Sequence, residues 1–69
     1  MNVSYNKLFK LLIDKGIKKS DLRKNISISP NTMTKISKNE YVSMDVLVKI
    51  CHELECDIGD IVEVLPKAQ

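Results

Sequence analysis

The amino-acid sequence predicts an all-α fold of five short helices, with a short terminal strand pair as an optional addition. Three observations lead to this prediction. Apolar residues recur at steps of three and four in several stretches, turn and capping residues separate these stretches, and no internal repeat or low-complexity segment interrupts them. The chain has 69 residues and a mass of 7.9 kDa. We therefore expect a single domain over residues 1–69, because domains rarely split at this size.

Composition narrows the class of protein. Hydrophobic residues make up 43% of the chain and charged residues 29%, a globular balance. Aromatic residues reach only 4%, too few for the stacking platforms that bind single-stranded nucleic acid. The longest apolar run is far shorter than the roughly 20 residues of a membrane span, and Met1 leads into polar residues rather than a signal peptide. We expect a cytoplasmic protein without a membrane partner.

Charge is distributed unevenly along the chain. Residues 1–39 hold nine cations and two carboxylates, a net charge of +7, whereas residues 40–69 hold two cations and seven carboxylates, a net charge of −5. A basic half joined to an acidic half indicates a polyanion on one side and something else on the other. Chance unevenness of a solvated surface is the alternative interpretation.

The first two helices are set by apolar periodicity and by Gly16. A helix ending before Gly16 directs one face inward, and Gly16 suits the left-handed position beyond it. A brief helix from about Ser20 to Asn25 follows, with Leu22 inward and Ile26 at its exit. The apolar face of the first helix consists of Tyr5, Leu8, Phe9, Leu12 and Ile13.

The later elements carry clearer capping signals. Ser29 is a good N-cap, and the proline after it suits the first position of a helix from Pro30 to about Lys38. Ser43 caps a fourth helix, and Asp57 caps a last short one. Residues 62–65 alternate and are β-branched, so they predict a strand ending at a proline, which Val3 could pair. The inward residues of these helices are Met33 and Ile36, then Val46, Leu47, Ile50, Cys51 and Leu54, then Ile58 and Ile61.

Catalytic and metal chemistry find little support in the residues. His52 is the only histidine, and as a helical neighbour of Cys51 it cannot face it as a base. Cys51 and Cys56, five residues apart, would lie on different faces of a helix. We expect no disulfide because no secretory signal is visible, no zinc site because four ligands are lacking, and a buried free thiol for at least Cys51. Asp57, Asp60 and Glu63 share a face without calcium-loop spacing. We expect no enzyme activity, metal or cofactor.

Residues 19–38 fit the physical description of a helix-turn-helix. Two short helices are joined by a tight turn, and the second has a polar outward face with basic residues around it. Asn bonds adenine bidentately, Thr suits thymine and Lys reaches guanine, so this face can read bases in the major groove. An ordinary solvated helix explains the composition equally well. The residues in question are Asn31, Thr32, Thr34 and Lys35.

The stretches from Lys18 to Leu22 and from Ile28 to Asn39 resemble the phage repressor and Cro type, lambda-repressor-like helix-turn-helix family. The similarity is strongest to its small stand-alone bacterial members. It continues through residues 43–51 and 56–61 and so covers nearly the whole chain. The segment L-x-K-I-C-x-x-L-x-C-D-I-G-D-I is its more specific part.

The resemblance implies a five-helix domain whose third helix enters the major groove of DNA. Carried over by position, the third helix reads bases through Asn31, Thr32, Thr34 and Lys35. The phosphate contacts implied are Lys18, Lys19, Ser29, Lys38 and Asn39.

Three positions depart from the family pattern. Lys19 stands where glutamine is usual, so we expect a phosphate contact there and no base readout. Ser27 replaces the usual turn glycine, which places a residue with a Cβ in a less favourable backbone region. Arg23 replaces a small residue, so its stem must lie along the core or splay the two helices.

Together these features predict a sequence-specific double-stranded DNA-binding transcriptional regulator, repressor-like, that occupies an operator without a cofactor. One such module buries only about 600 to 1,000 Å² on DNA, so we expect a homodimer on a palindromic operator with half-sites about 34 Å apart. No sensor domain is evident, so no small-molecule effector is expected. A protein-interaction module with the same fold, such as an antitoxin, is the alternative. The expected self-association surface, which could equally close the monomer core, comprises Ile58, Ile61, Val62, Val64 and Leu65.

Overall fold

A computed structural model describes residues 2–66, which form a bundle of helices closed by a small sheet. No helix in that range is both long and apolar enough to span a membrane. A one-turn 3-10 helix, Ile58–Asp60, stands between the last α-helix and the last strand. The remaining elements in chain order are β1 (Val3–Ser4), α1 (Asn6–Lys15), α2 (Lys19–Asn25), α3 (Pro30–Ser37), α4 (Met44–Leu54) and β2 (Glu63–Val64).

The prediction of five helices is wrong, because residues 2–66 contain four α-helices. The predicted fifth helix is the single 3-10 turn, in which the Asp60 N–H donates to the Asp57 carbonyl at 2.9 Å. The Asp60 carboxylate in turn accepts from the Asp57 N–H at 3.0 Å. Gly59 and the β-branched residues around it favour helix poorly, so the turn does not propagate.

The predicted terminal strand pair is confirmed. β1 and β2 are antiparallel, with Val3 opposite Val64 and Ser4 opposite Glu63. The Leu65 N–H extends the pairing by donating to the Asn2 carbonyl at 2.7 Å. Each strand is only two residues long, so the sheet ties the two ends of the described chain together and forms no separate layer.

Each of the four α-helices is followed, within two residues of its end, by a residue in the left-handed region. Two hydrogen bonds close each end, from this residue and the next one back into the last turn, as in a Schellman motif. After α1, for example, the Gly16 N–H donates to the Ile13 carbonyl at 3.1 Å and the Ile17 N–H to the Leu12 carbonyl at 2.9 Å. The left-handed residues are Gly16, Ser27, Asn39 and Glu55, with φ of 69°, 57°, 58° and 53°.

The core is aliphatic and takes residues from every helix. Leu8, Leu22, Ile36, Ile50 and Ile61 are fully enclosed. Within residues 2–66 every buried polar side-chain atom has a hydrogen-bond partner. The remaining members of the core are Tyr5, Leu12, Ile26, Ile28, Leu47, Cys51 and Leu54.

Ile13, which the sequence placed inward, is exposed, and so is Val64 of the expected self-association surface. Ile13 is 79% exposed, because the helical position after the buried Leu12 is turned about 100° away from the core. Val64 is 77% exposed on its two-residue strand, whereas Ile61 is fully buried and closes the core. Met33 is only half-buried, although it lies on the inner side of α3.

Replacement of Ser27 by glycine should stabilise the protein by about 0.5 to 1 kcal/mol. A left-handed residue with a Cβ costs roughly 1 to 2 kcal/mol, and the greater freedom of glycine in the unfolded chain offsets part of the gain. Ser20→Gly is the matched control: this exposed serine lies within α2, so its loss should destabilise by about 1 kcal/mol. Urea unfolding of both variants measures the difference. Equal destabilisation by both variants would contradict the role of the backbone at Ser27.

Candidate nucleic-acid interface

α2 and α3 form a rigid corner around two enclosed side chains. Leu22 of α2 and Ile36 of α3 are both fully buried, and the two helices pack on each other. In the turn between them, the Ser27 N–H donates to the Lys24 carbonyl at 3.3 Å and the Ile28 N–H to the Arg23 carbonyl at 3.2 Å. The left-handed backbone expected at Ser27 is confirmed. The chain therefore enters α3 in a fixed direction.

Arg23 is half-buried. In a Schellman motif, a side chain of the last helical turn contacts the residue that follows the left-handed one. Arg23 occupies the first of these positions and the buried Ile28 the second. The sequence left two outcomes for Arg23: its stem lies along the core, or the two helices splay. The partial burial of Arg23 fits a stem along the core with the guanidinium in solvent.

The start of α3 is capped as predicted. The Ser29 hydroxyl accepts the Thr32 N–H at 3.2 Å, and Pro30 occupies the first helical position. The hydroxyls of Ser29 and Thr32 also bond each other at 2.9 Å. Both hydroxyls thus have partners within the protein. This arrangement leaves the Thr32 methyl group as the part of that side chain most suited to a new contact.

The four residues predicted to read bases differ in what they expose. Asn31 and Lys35 are exposed and stand four residues apart, so they lie on one face of α3. Thr34 is exposed, but its hydroxyl donates to the Pro30 carbonyl at 3.0 Å. Thr32 is half-buried. The polar ends of Asn31 and Lys35 are therefore the best placed for a bound duplex.

The end of α3 is fixed to the N-terminal segment by Tyr5, which is fully buried. The Tyr5 N–H donates to Oδ1 of Asn39 at 3.0 Å, and its hydroxyl donates to the Glu40 carbonyl at 2.7 Å. Burial raises the pKa of Tyr5 above its usual value, which keeps the hydroxyl a donor. Asn39, predicted to contact phosphate, thus also holds the fold together, and its amide nitrogen remains the donor for an outside partner.

The predicted phosphate contacts Lys18, Lys19 and Lys38 are all exposed. Lys18 is the N-cap residue of α2 and Lys38 the C-cap residue of α3, so the two lysines stand at the two ends of the helix-turn-helix unit along the chain. The Lys19 Nζ lies 4.1 Å from the centroid of the Phe9 ring. This cation–π contact restrains the ammonium group at the start of α2.

A groove of about 290 Å³ runs beside α3, and it includes a residue that the sequence reasoning missed. Tyr41 lines this groove and is 57% exposed. The sequence signal for Tyr41 was an aromatic residue in the polar loop that follows α3. The other residues that line the groove are Thr32, Lys35, Val42, Ser43 and Val46.

Metal binding finds no support in the part of the chain that the structure describes. Within residues 2–66 no three histidine, cysteine or carboxylate side chains come close enough together to hold an ion. Three acidic residues of the C-terminal part, Glu55, Asp57 and Asp60, lie around the end of α4, whereas the Glu53 carboxylate accepts from the Asn25 side-chain amide at the end of α2 at 3.2 Å.

A capped helix with an exposed polar face, held at a fixed turn behind a second short helix, defines a helix-turn-helix protein. Comparison with protein families agrees: residues 7–67 match the family described as the Cro/C1-type HTH DNA-binding domain. The chain belongs to this family, as its resemblance to the phage repressor and Cro type indicated.

One solved structure is similar over nearly the whole chain. The crystal structure of the transcriptional regulator VanUg, form II, superposes with a TM-score of 0.92 at 55% sequence identity. The alignment covers 96% of this chain and 88% of that chain. No curated protein sequence matches significantly.

Proposed function

We propose that this protein is a sequence-specific regulator of transcription that binds double-stranded DNA and acts, repressor-like, by occupying an operator. The observation that carries the proposal is the polar face of α3, exposed at Asn31 and Lys35 while both ends of the helix are fixed. The family's DNA-binding description and the similarity to a transcriptional regulator support it. Residues 1–69 would act as one domain, without a cofactor or effector.

Within this proposal α3 lies in the major groove, and its side chains make two kinds of contact with the bases. Asn31 and Lys35 read base edges through hydrogen bonds, while Thr32 and Thr34 offer methyl groups to thymine because their hydroxyls are bonded internally. Phosphate contacts at both ends of the corner fix the register of the helix without reading sequence. The phosphate contacts are Lys18, Lys19, Ser29, Lys38 and the amide nitrogen of Asn39.

The alternative, a protein-interaction module such as an antitoxin, rested on the acidic C-terminal half. The family assignment and the similar regulator do not favour it. Binding to random duplex DNA separates the two hypotheses, because contacts between lysines and phosphates release counterions and protein contacts made by an acidic surface do not.

Lys19→Ala and Lys38→Ala should weaken binding to preferred and random duplexes by about the same factor. Affinity of the wild type should fall steeply between about 50 and 200 mM salt, and each variant should lower the slope against log salt concentration by about one unit. Fluorescence anisotropy titrations measure both. Lys15→Ala, an exposed lysine at the end of α1 outside the predicted contacts, is the control and should leave the slope unchanged. Binding that is insensitive to salt would refute a DNA-binding function.

Asn31→Ala and Lys35→Ala should each cost about 1 to 3 kcal/mol on the preferred duplex and much less on random DNA. The preferred duplex comes from selection out of a random pool. Both side chains project into solvent, so thermal stability should change by less than about 0.5 kcal/mol. An unchanged ratio of preferred to random affinity in both variants would show that α3 does not read the bases.

We also propose a homodimer, because one module of this size buries too little surface for tight binding to a single site. Of the surface expected from sequence, Ile61 is enclosed in the core, so the candidates for self-association are Val64 and Leu65 beside the sheet. A two-fold arrangement of these patches would place two α3 helices on successive half-sites, about 34 Å apart.

Val64→Asp should convert the dimer to a monomer, because a charge on an apolar contact surface is left without a partner. Ile13→Asp, at an equally exposed apolar residue on α1, is the matched control and should leave the dimer intact. Sedimentation at micromolar concentration, with and without operator DNA, distinguishes these states. A wild-type protein that stays monomeric in both conditions would exclude the homodimer.

A further inference from the structure

The two cysteines of the chain stand on either side of the left-handed residue that ends α4. Glu55 adopts φ 53°, and the Cys56 N–H donates to the Cys51 carbonyl at 3.0 Å. The chain therefore turns back on α4 between the two cysteines, and helical spacing does not continue from one to the other.

This reversal brings the two thiols together. In a Schellman motif the side chains at these two positions contact each other, and Cys51 and Cys56 are such a pair, because the Cys56 N–H donates to the Cys51 carbonyl. Each thiol accordingly contributes to the pKa shift of the other. Sequence reasoning placed them on different faces because it extended the helix through Cys56. Cys51 is buried as expected, but the prediction that the two cysteines lie on different helical faces is wrong.

One of the two thiols is accessible. Cys51 is buried in the core, whereas Cys56 is half-buried. Both residues line an open surface cavity of about 580 Å³ at the C-terminal end of α4, with His52, Glu55, Asp57 and Asp60 as its other walls. A small oxidant can therefore reach Cys56 from solvent, while the buried Cys51 lines the same cavity.

We propose that Cys51 and Cys56 form a redox modification site, at which a hydroperoxide converts the two thiols into a reversible intramolecular disulfide. The Cys56 thiol loses its proton and the thiolate attacks one peroxide oxygen, so that an S–O bond forms and the O–O bond breaks, giving a sulfenic acid and, for hydrogen peroxide, a hydroxide that takes up the proton as water. The Cys51 thiol then attacks that sulfur and releases a second water. Two thiols are oxidised, one peroxide is reduced and two protons from the thiols end in water. A small thiol reverses the reaction by exchange.

The surroundings make this a slowly formed but durable disulfide. Burial, the adjacent Cys51, Asp60 and Asp57 raise the pKa of Cys56 to about 11. Little thiolate exists at neutral pH, so oxidation accelerates as pH rises towards that value. The same effect makes the thiolate a poor leaving group, which resists reduction of the disulfide. The remaining charged or titratable groups around Cys56 are Lys7, Lys10, Asp14 and Lys15 from α1, His52 from α4 and Glu55 directly after α4.

The disulfide would fasten α4 to the segment that carries Ile61 and β2. Cys51 is seven residues from Met44 at the start of α4, roughly 10 Å at 1.5 Å per residue. The groove beside α3 lies at that distant start, since Ser43 and Val46 line it. Oxidation therefore acts on the C-terminal closure of the fold and leaves α3 in place. This inference does not depend on the proposed function.

The test uses the full chain, reduced, freed of thiol reagent and treated with hydrogen peroxide at pH 7 and at pH 9. Trypsin cuts after Lys49 and Lys67, so one peptide, residues 50–67, contains both cysteines and no methionine. We expect this peptide to lose the mass of two hydrogen atoms, to resist alkylation and to come from a monomeric band on a non-reducing gel. Formation should be at least tenfold faster at pH 9, and dithiothreitol should restore two alkylated cysteines.

Thermal unfolding gives a second measurement. Oxidised wild type should melt at a higher temperature than the reduced protein and return to the reduced value with dithiothreitol, because a cross-link restricts the unfolded chain. Cys56→Ser, at the half-buried position, is the matched control and should show no redox-dependent shift. Two alkylatable thiols after peroxide treatment, disulfides only between chains, sulfinic acid alone, or a lower melting temperature of the oxidised form would each overturn the proposal.

Discussion

The fold depends on a repeated constraint: the chain must reverse into the left-handed region after every α-helix. Glycine tolerates this conformation without cost, yet only the reversal at Gly16 uses it. Asn39 accepts the conformation more readily than most residues, whereas Ser27 and Glu55 are strained there by roughly 1 to 2 kcal/mol each. Only the reversed chain can form the backbone hydrogen bonds that close these turns. These hydrogen bonds and the burial of the aliphatic core together offset the backbone strain.

The same reversals determine where α3 points. Its entry is set by the turn at Ser27 and its exit by the turn at Asn39, and the exit is bonded twice to Tyr5. A helix of eight residues is too short to be stable by itself, so its orientation comes from these end contacts and from the enclosed Ile36. Side chains on its outer face are consequently not needed to hold the helix in place. This freedom is what allows Asn31 and Lys35 to be available to a ligand.

Local signals in the sequence predicted most of the fold. Capping at Ser29, Pro30 and Ser43, the reversal at Gly16 and the pairing of Val3 with the last strand all follow from short-range chemistry. The bond from Tyr5 to Asn39 spans 34 residues and could not be foreseen, because periodicity gives only the face of a helix and not its distant partner. The exposed Ile13 shows the same limit, since an apolar residue at the edge of a face can turn either way.

The candidate site was predictable only as an inventory of residues. The sequence supplied the four polar residues of α3, but the internal hydrogen bonds that distinguish the threonines from Asn31 and Lys35 depend on placed hydroxyls. Tyr41 was missed because its exposure beside α3 depends on the course of a loop without periodicity. The contact between Cys51 and Cys56 was missed because Glu55, which carries no glycine-like signal, reverses the chain.

The uneven charge of the sequence now acquires a spatial meaning. Lysines of the basic half flank the corner formed by α2 and α3, where a polyanion gains from their attraction. Three carboxylates of the acidic half, from Glu55, Asp57 and Asp60, line the cavity of Cys51 and Cys56 at the C-terminal end of α4, and Asp57 and Asp60 disfavour the Cys56 thiolate and so slow its oxidation. The two halves are not fully separated in space, because Lys7, Lys10 and Lys15 of the basic half lie beside Cys56 and Asp60. The groups that surround each site, and not the net charge of +2, therefore decide that the corner attracts an anion while the carboxylates at Cys56 oppose its thiolate.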